Sequence, residues 1–115
     1  MNNYRSPNAE ELFKAPEWRL IDDQAVKISD VVVHTFTMGD VDDPDLYASQ
    51  PIYEWQQTDA GKWVMEHAVE QPVYQIHPDM MFYGYRCKIW AVLSEKDTTF
   101  FKLKYSDHLN RKTMG

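Results

Sequence analysis

Residues 24–38, QAVKISDVVVHTFTM, are rich in apolar and β-branched side chains. From Val26 to Met38 one parity of this segment is apolar except at Asp30 and His34, and the alternate positions from Val31 to Thr37 are all β-branched. Successive side chains of a strand point to opposite faces of its sheet, and β-branched residues favour strands. The pattern therefore predicts one long strand that is covered on both faces.

A helix is predicted to follow over residues 50–69. Side chains recur there at the three-to-four-residue spacing that makes one mostly apolar stripe; they are Ile52, Trp55, Ala60, Trp63, Val64, His67 and Ala68. Ser49 is a candidate N-cap, with Pro51 in the first turn. Gly61 weakens the middle of such a helix by about 1 kcal/mol, so residues 58–59 are an alternative cap for a second helix.

Three further strands are predicted after the helix, over residues 72–77, 82–93 and 98–105. The last two are expected to form a hairpin around residues 94–97. A five-residue loop, or a bulge, pairs Leu93 with Thr99 and leaves one face apolar, whereas a four-residue loop mixes lysines into that face. Register follows burial, so we prefer the first arrangement.

The order of one strand, one helix and three strands predicts an α+β fold, in which a mainly antiparallel four-stranded sheet carries one main helix. This domain is expected to span residues 24–105. Residues 1–23 are interpreted as an N-terminal arm and residues 106–115 as a C-terminal tail. The arm contains Phe13 and Trp18, which a solvated tail would not need. We therefore expect the arm to dock on its own domain or on a neighbouring chain.

Charge and composition narrow the classes of function. The chain of 115 residues has a net charge of −6, which disfavours wrapping of duplex DNA, because phosphate neutralisation supplies most of that affinity. The charge is uneven, since residues 1–60 carry −8 and residues 61–115 carry +2. The chain has no apolar run of about 18 residues, so no membrane span is predicted. The N-terminus also lacks the apolar segment of a secretory signal.

Candidate catalytic and metal-binding residues are few. The single cysteine, Cys87, excludes an internal disulfide and a multi-cysteine zinc site, and it indicates a reducing setting. Its position on the apolar parity of a strand predicts a buried thiol. No two histidines are three or four residues apart, and His67 is interpreted as a core or capping residue. With no glycine-rich phosphate loop and no G-x-S-x-G motif, we predict no enzyme, no cofactor and no metal site.

Residues 38–47, MGDVDDPDLY, hold four carboxylates, which belong to Asp40, Asp42, Asp43 and Asp45. An EF-hand loop that began at Asp40 would need an acid at its fifth position, where Pro44 stands, and a glutamate at its twelfth, where Pro51 stands. Asp43 before Pro44 is instead typical of a helix N-cap followed by a first-turn proline. A looser calcium or magnesium site stays open as an alternative. The four aspartates are also a candidate acidic contact patch.

The second face of the predicted hairpin combines bases with aromatic rings. Its members are Arg86, Lys88, Trp90, Phe100, Lys102 and Lys104. Three interpretations stay open: the face stacks single-stranded bases, the arm covers it, or it meets an acidic partner surface, such as the acidic half of another copy. The negative net charge favours protein docking over nucleic acid. With Phe13 and Trp18, these six residues are the candidate partner-binding set.

Three segments of the chain carry a resemblance to a known class. They are GDVDDPDLYASQPIYEWQQTDAGKWVMEHA (residues 39–68), YGYRCKIWAVL (residues 83–93) and TTFFKLKY (residues 98–105). Together they resemble small conserved proteins of large tailed bacteriophages of the myovirus type, including marine phages, to which a function is usually not assigned. The resemblance covers roughly residues 31–105. It implies a phage setting and no site residues.

These observations lead to three hypotheses. The first is a non-enzymatic phage protein that acts by contacts with other subunits, as a structural or assembly component of the virion, in a homo-oligomer or a larger assembly. The second is a host-directed regulator that binds a host protein, or single-stranded nucleic acid, through the basic aromatic face. The third is an enzyme with a metal site at the aspartates. We favour the first, with the virion or host cytoplasm as its location, because the arm, the many aromatic residues and the uneven charge suit subunit contacts.

Overall fold

The computed structural model describes residues 17–81 and 83–105. Its elements in chain order are β1 (Glu17–Ile21), β2 (Gln24–Met38), α1 (Pro44–Gln56), α2 (Asp59–His67), β3 (Val73–Asp79), β4 (Gly84–Ser94) and α3 (Glu95–Lys104). The four strands form one sheet in the order β1-β2-β4-β3, and every neighbouring pair is antiparallel. The predicted α+β class, with an antiparallel four-stranded sheet, is confirmed.

The long strand predicted over residues 24–38 is β2, and it carries a bulge between Val32 and His34. Before the bulge Val31 lies opposite Ala91, and after it Phe36 lies opposite Cys87. Ala91 and Cys87 point to the same face of β4, although Val31 and Phe36 differ in parity. The extra residue therefore moves apolar side chains of both parities to one face, which is why the sequence of β2 is apolar at both.

The core lies between the sheet and the helices. Alternate residues of β4 are buried in it, namely Cys87, Ile89, Ala91 and Leu93. The helices contribute Ala48, Ile52, Trp55, Val64 and Phe101. The side of residues 87–93 that was predicted to be apolar is thus the side of β4 that the helices cover.

Residues 44–67 form two helices and not one. Asp43 caps α1, since its side chain accepts a hydrogen bond from the Leu46 N–H (3.3 Å). Thr58 caps α2 and accepts from the Gly61 N–H (3.0 Å). The second-helix alternative is therefore the correct one. The prediction of Ser49 as an N-cap is wrong, because α1 begins six residues earlier, with Asp43 as its cap and Pro44 in its first turn.

The predicted strand over residues 98–105 is wrong, because this segment belongs to α3. Ser94 ends β4 and caps the helix, accepting from the Asp97 N–H (3.1 Å). Acids stand in the first turn and Lys102 and Lys104 in the last, so both ends complement the helix dipole. The expected hairpin, and with it the pairing of Leu93 with Thr99, does not form.

The fourth strand comes from the segment assigned to the arm. β1 pairs with β2 through a two-residue turn at Asp22 and Asp23, whose φ angles are 52° and 65°. Positive φ at both positions is the geometry of the tight hairpin turn that matches strand twist, and aspartate tolerates it. Phe13 and the rest of the predicted arm up to residue 16, like the predicted tail, lie outside the described residues.

Gly61 marks the close contact of α1 with α2. A methyl group at this position would overlap the backbone carbonyl oxygen of Trp55. We predict that Gly61→Ala lowers the free energy of unfolding by about 1–3 kcal/mol, the usual cost of overpacking. Gly39→Ala is the matched control, because its methyl group meets no atom within 4 Å. Urea unfolding of both variants measures the difference, and equal stability would contradict the prediction.

Candidate interaction site

The predicted basic aromatic face is divided between two places. Its members Arg86, Lys88 and Trp90 lie on β4, on the side opposite the buried residues of that strand. The other three, Phe100, Lys102 and Lys104, lie on α3. One continuous face was expected because residues 98–105 were predicted as a strand. The division therefore follows directly from the helix at that position.

The β4 part of the divided set is engaged within its own sheet. Arg86 forms an ion pair with Asp79 (Nη2–Oδ2 3.1 Å), and its Nε donates to the same carboxylate oxygen (3.2 Å). Trp90 is half-buried between its cross-strand neighbours Val32 and Val73. Its indole Nε1 is buried and has no hydrogen-bond partner in the described part of the chain. Arg86 and Trp90 thus make their described contacts with neighbouring strands of the same sheet.

The α3 part of the set belongs to an aromatic cluster between α2 and α3. Trp63 stacks on Phe100 (5.2 Å between ring centroids) and on His67 (4.2 Å). The Lys104 ammonium lies 5.5 Å from the centre of the Phe100 ring, a cation–π distance. Leu103, three residues from Phe100 on the same helix, is 76% exposed. We call Trp63, Phe100, Leu103 and Lys104 the helical patch; its surface is apolar and carries positive charge.

His67 lies at the C-terminal end of α2 and is exposed. Its Nδ1 is 2.8 Å from the Trp63 carbonyl oxygen. This histidine was predicted to be either a core or a capping residue. The structure places it in the last turn of α2, outside the buried core.

The four aspartates of the acidic stretch have different roles in the structure. Asp43 caps α1, and Asp45 accepts a hydrogen bond from the Tyr74 hydroxyl (3.0 Å). Burial, and then this hydrogen bond, raises the pKa of Tyr74 to about 12. Asp40 and Asp42 are exposed. Across residues 17–81 and 83–105, no three His, Cys, Asp or Glu side chains are grouped so that they could hold a metal ion.

The turn between β3 and β4 is a feature that sequence reasoning missed. Met80, Met81 and Tyr83 lie in this turn and are 80% to 84% exposed; we call them the apolar turn. Phe82 is outside the described residues. The signal was present in the sequence, since the run of residues 80–83, MMFY, lacks a polar side chain where a turn normally has one.

The base of the apolar turn is held by polar contacts. One oxygen of Asp79 accepts from the Met81 N–H (3.0 Å), and the other binds Arg86. Tyr83 has a φ of 52°, in the left-handed region that non-glycine residues seldom adopt. The same carboxylate thus contacts both Met81 in the turn and Arg86 in β4.

The apolar turn and the acidic stretch lie at the same end of the sheet. Met38 pairs with Tyr85, and a methyl group at Gly84 would lie 3.0 Å from the Gly39 carbonyl carbon. Asp40 and Asp42 follow immediately in the chain. We call the apolar turn together with Asp40 and Asp42 the acidic apolar end of the molecule.

A cleft of about 790 Å³ lies at the other end of the sheet. It is bounded by the β1–β2 hairpin, the residues that follow α2 and the first turn of α3. Trp18, predicted as a contact residue, lines this cleft and is largely exposed, as is Leu20. Two ion pairs join the hairpin to the helical side: Arg19 binds Glu70 (3.0 Å) and Lys27 binds Glu95 (4.0 Å).

Comparison with models of protein families, with curated proteins and with solved structures finds no match to this chain. Within the described residues, no helix is both long enough and apolar enough to cross a membrane. The function is therefore inferred from the surfaces described above.

Asp79 is predicted to stabilise the apolar turn. Asp79→Ala removes the hydrogen bond to the Met81 N–H and the ion pair with Arg86, and we expect the free energy of unfolding to fall by about 1–3 kcal/mol. The control is Asp42→Ala at an exposed position, for which we expect a change within about 0.5 kcal/mol. Urea unfolding measures both variants. A loss in Asp79→Ala no greater than in the control would show that these contacts do not stabilise the turn.

Cys87 is predicted to be chemically inert in the folded protein. The side chain is fully buried, and burial, with a smaller effect of Asp45, raises the pKa of its thiol to about 12. Only the thiolate attacks disulfide reagents, so the native protein should react negligibly with an aromatic disulfide reagent at pH 8. Labelling should become complete in guanidinium chloride. Fast labelling of the native protein would contradict this prediction.

Proposed function

We propose that this protein is non-enzymatic and works by binding other proteins, as a structural subunit of a tailed-phage particle. The observation that carries the proposal is the apolar turn: three large side chains are exposed on a turn whose base is held by Asp79 and Arg86. Exposed apolar surface of this kind typically marks a contact with a partner.

The shape of the turn supports docking for an energetic reason. Ordering a loop on binding costs free energy that reduces affinity, and the contacts of Asp79 with Met81 and Arg86 reduce this cost at the base of the turn. Burial of apolar surface contributes roughly 25 cal/mol per Å². Methionine adapts to the shape of a partner and makes favourable contacts with aromatic rings. A rigid base with adaptable side chains suits a protein contact.

The phage setting of the proposal rests on the resemblance of residues 39–68, 83–93 and 98–105 to small proteins of large tailed phages. Virions assemble from many subunits that each present several contact surfaces, and this chain has at least two candidates, the acidic apolar end and the helical patch. The single-stranded nucleic-acid alternative expected Trp90 and Phe100 on one face, whereas they lie on β4 and α3, so we prefer protein contacts.

Met81→Asp is the direct test of the proposed contact. Met81 is exposed, so the substitution should leave folding nearly unchanged, while a charge at the centre of the contact should prevent docking. We expect mass spectrometry to detect the wild-type chain in purified particles of the source phage and to find a loss of at least tenfold for the variant.

Tyr53→Glu provides the control for that experiment, because Tyr53 is an exposed apolar residue on α1, outside the apolar turn. It should enter particles at the wild-type level. Absence of the wild-type chain from particles would overturn the proposed virion role. Equal incorporation of Met81→Asp and wild type would overturn the role of the turn.

A further inference from the structure

We propose that the acidic apolar end of one copy binds the helical patch of a second copy of this chain, so that the protein assembles through head-to-tail contacts. This inference rests on the proposed function and names the partner of the same turn. Both surfaces are present on every copy, and each is apolar at its centre and charged at its margin.

The apolar parts of the two surfaces are chemically matched. The apolar turn presents Met80 and Met81, and the helical patch presents the rings of Trp63 and Phe100 with Leu103 beside them. Thioether sulfur makes favourable contacts at the edges of aromatic rings, and the flexible methionine side chain follows an irregular surface. The patch therefore offers the kind of surface that this turn fits.

The charges of the two surfaces have opposite sign. The acidic apolar end carries Asp40 and Asp42, and the one arginine near it is already paired with Asp79. In contrast, the helical patch carries Lys104, whose ammonium lies over the Phe100 ring, and none of its four residues is an acid. Opposite charges at the margin of an interface steer association and fix its orientation.

The cleft is a poorer partner for the same turn. Its bases are balanced by an equal number of acids: Arg19, Lys27 and Lys96 stand with Glu70, Glu95 and Asp97, and two of the bases are held in ion pairs. The cleft therefore offers no excess of positive charge to an acidic surface, whereas the helical patch has Lys104. Complementary charge favours association, so charge favours the helical patch over the cleft.

The two surfaces differ, so the contact is heterologous: each copy gives its acidic apolar end to one neighbour and its helical patch to another. A heterologous contact builds a ring where the rotation closes and an open chain where it does not. A pair of copies always leaves one of each surface free. This property provides a test that a symmetric dimer would fail.

The experiment uses two single variants of the full chain, Met81→Asp in the apolar turn and Leu103→Glu in the helical patch. Molar mass is measured by size exclusion with light scattering over a dilution series. We expect the wild type to form species larger than a dimer at high concentration and each variant alone to stay monomeric. An equal mixture of the two should give a 1:1 dimer and nothing larger, because the mixture retains one intact pair of surfaces.

Several outcomes would overturn the inference. A wild type that stays monomeric would do so, as would a variant that assembles like wild type or a mixture that stays monomeric. Met80→Asp and Lys104→Glu replace the first pair if circular dichroism shows that a variant is misfolded, and Tyr53→Glu is the control that should assemble normally. Assembly should also weaken severalfold between low and high salt, since its charges are at the surface; salt-independent assembly would contradict the charge argument.

Failure of this inference can be separated from failure of the proposed function. A monomeric wild type whose entry into particles still depends on Met81 means that the turn binds a different subunit, so the proposed function stands and the second copy is wrong. If the chain is missing from particles but assembles with itself as expected, the inference stands and the proposed virion role is wrong.

Discussion

The pairing of β2 with β4 is the constraint on which the other elements depend. β4 is buried at alternate positions from Cys87 to Leu93 and is central in the sheet, with β2 on one side and β3 on the other. The bulge between Val32 and His34 lets β2 direct apolar side chains toward the helices on both sides of it, Val31 before the bulge and Phe36 after it. Without it, Phe36 would face away from the core, because a shift of one residue inverts the face of every later side chain.

The same pairing gives the molecule two different ends. β4 runs from Gly84 to Ser94, so the apolar turn precedes it and α3 follows it. β2 ends beside Gly84, so the aspartates that follow β2 in the chain lie there. At the other end, the first four residues of β2 extend past Ser94 and pair with β1 alone. Carboxylates and exposed apolar side chains therefore lie together at one end of the sheet because of the strand register, and not because of the local sequence alone.

The sequence predicted those parts of the fold whose signal is local and unopposed, namely the long strand and the buried Cys87, which follow from side-chain alternation. The helix starts were less clear, because Ser49 competed as a cap with Asp43 and Thr58, which are the caps in the structure. The error at residues 98–105 arose where two local signals conflicted: aromatic and β-branched residues favour a strand, but Ser94 and the charges at both ends favour a helix. The structure forms the helix that Ser94 caps. The basic aromatic face, which was predicted on the assumption of a strand, is therefore divided between β4 and α3.

The candidate site was harder to predict because it depends on what the fold leaves uncovered. Trp18, which was predicted as a contact residue, is exposed. Trp90 was not distinguishable from Phe100 by sequence, and only the structure shows that Trp90 is half-buried on the sheet and Phe100 more exposed on α3. The apolar turn was overlooked because an apolar run beside a strand suggests burial. Its exposure follows from the strand register, because the pairing of β3 with β4 ends at Asp79 and Gly84, so Met80, Met81 and Tyr83 lie beyond the last pair of the sheet.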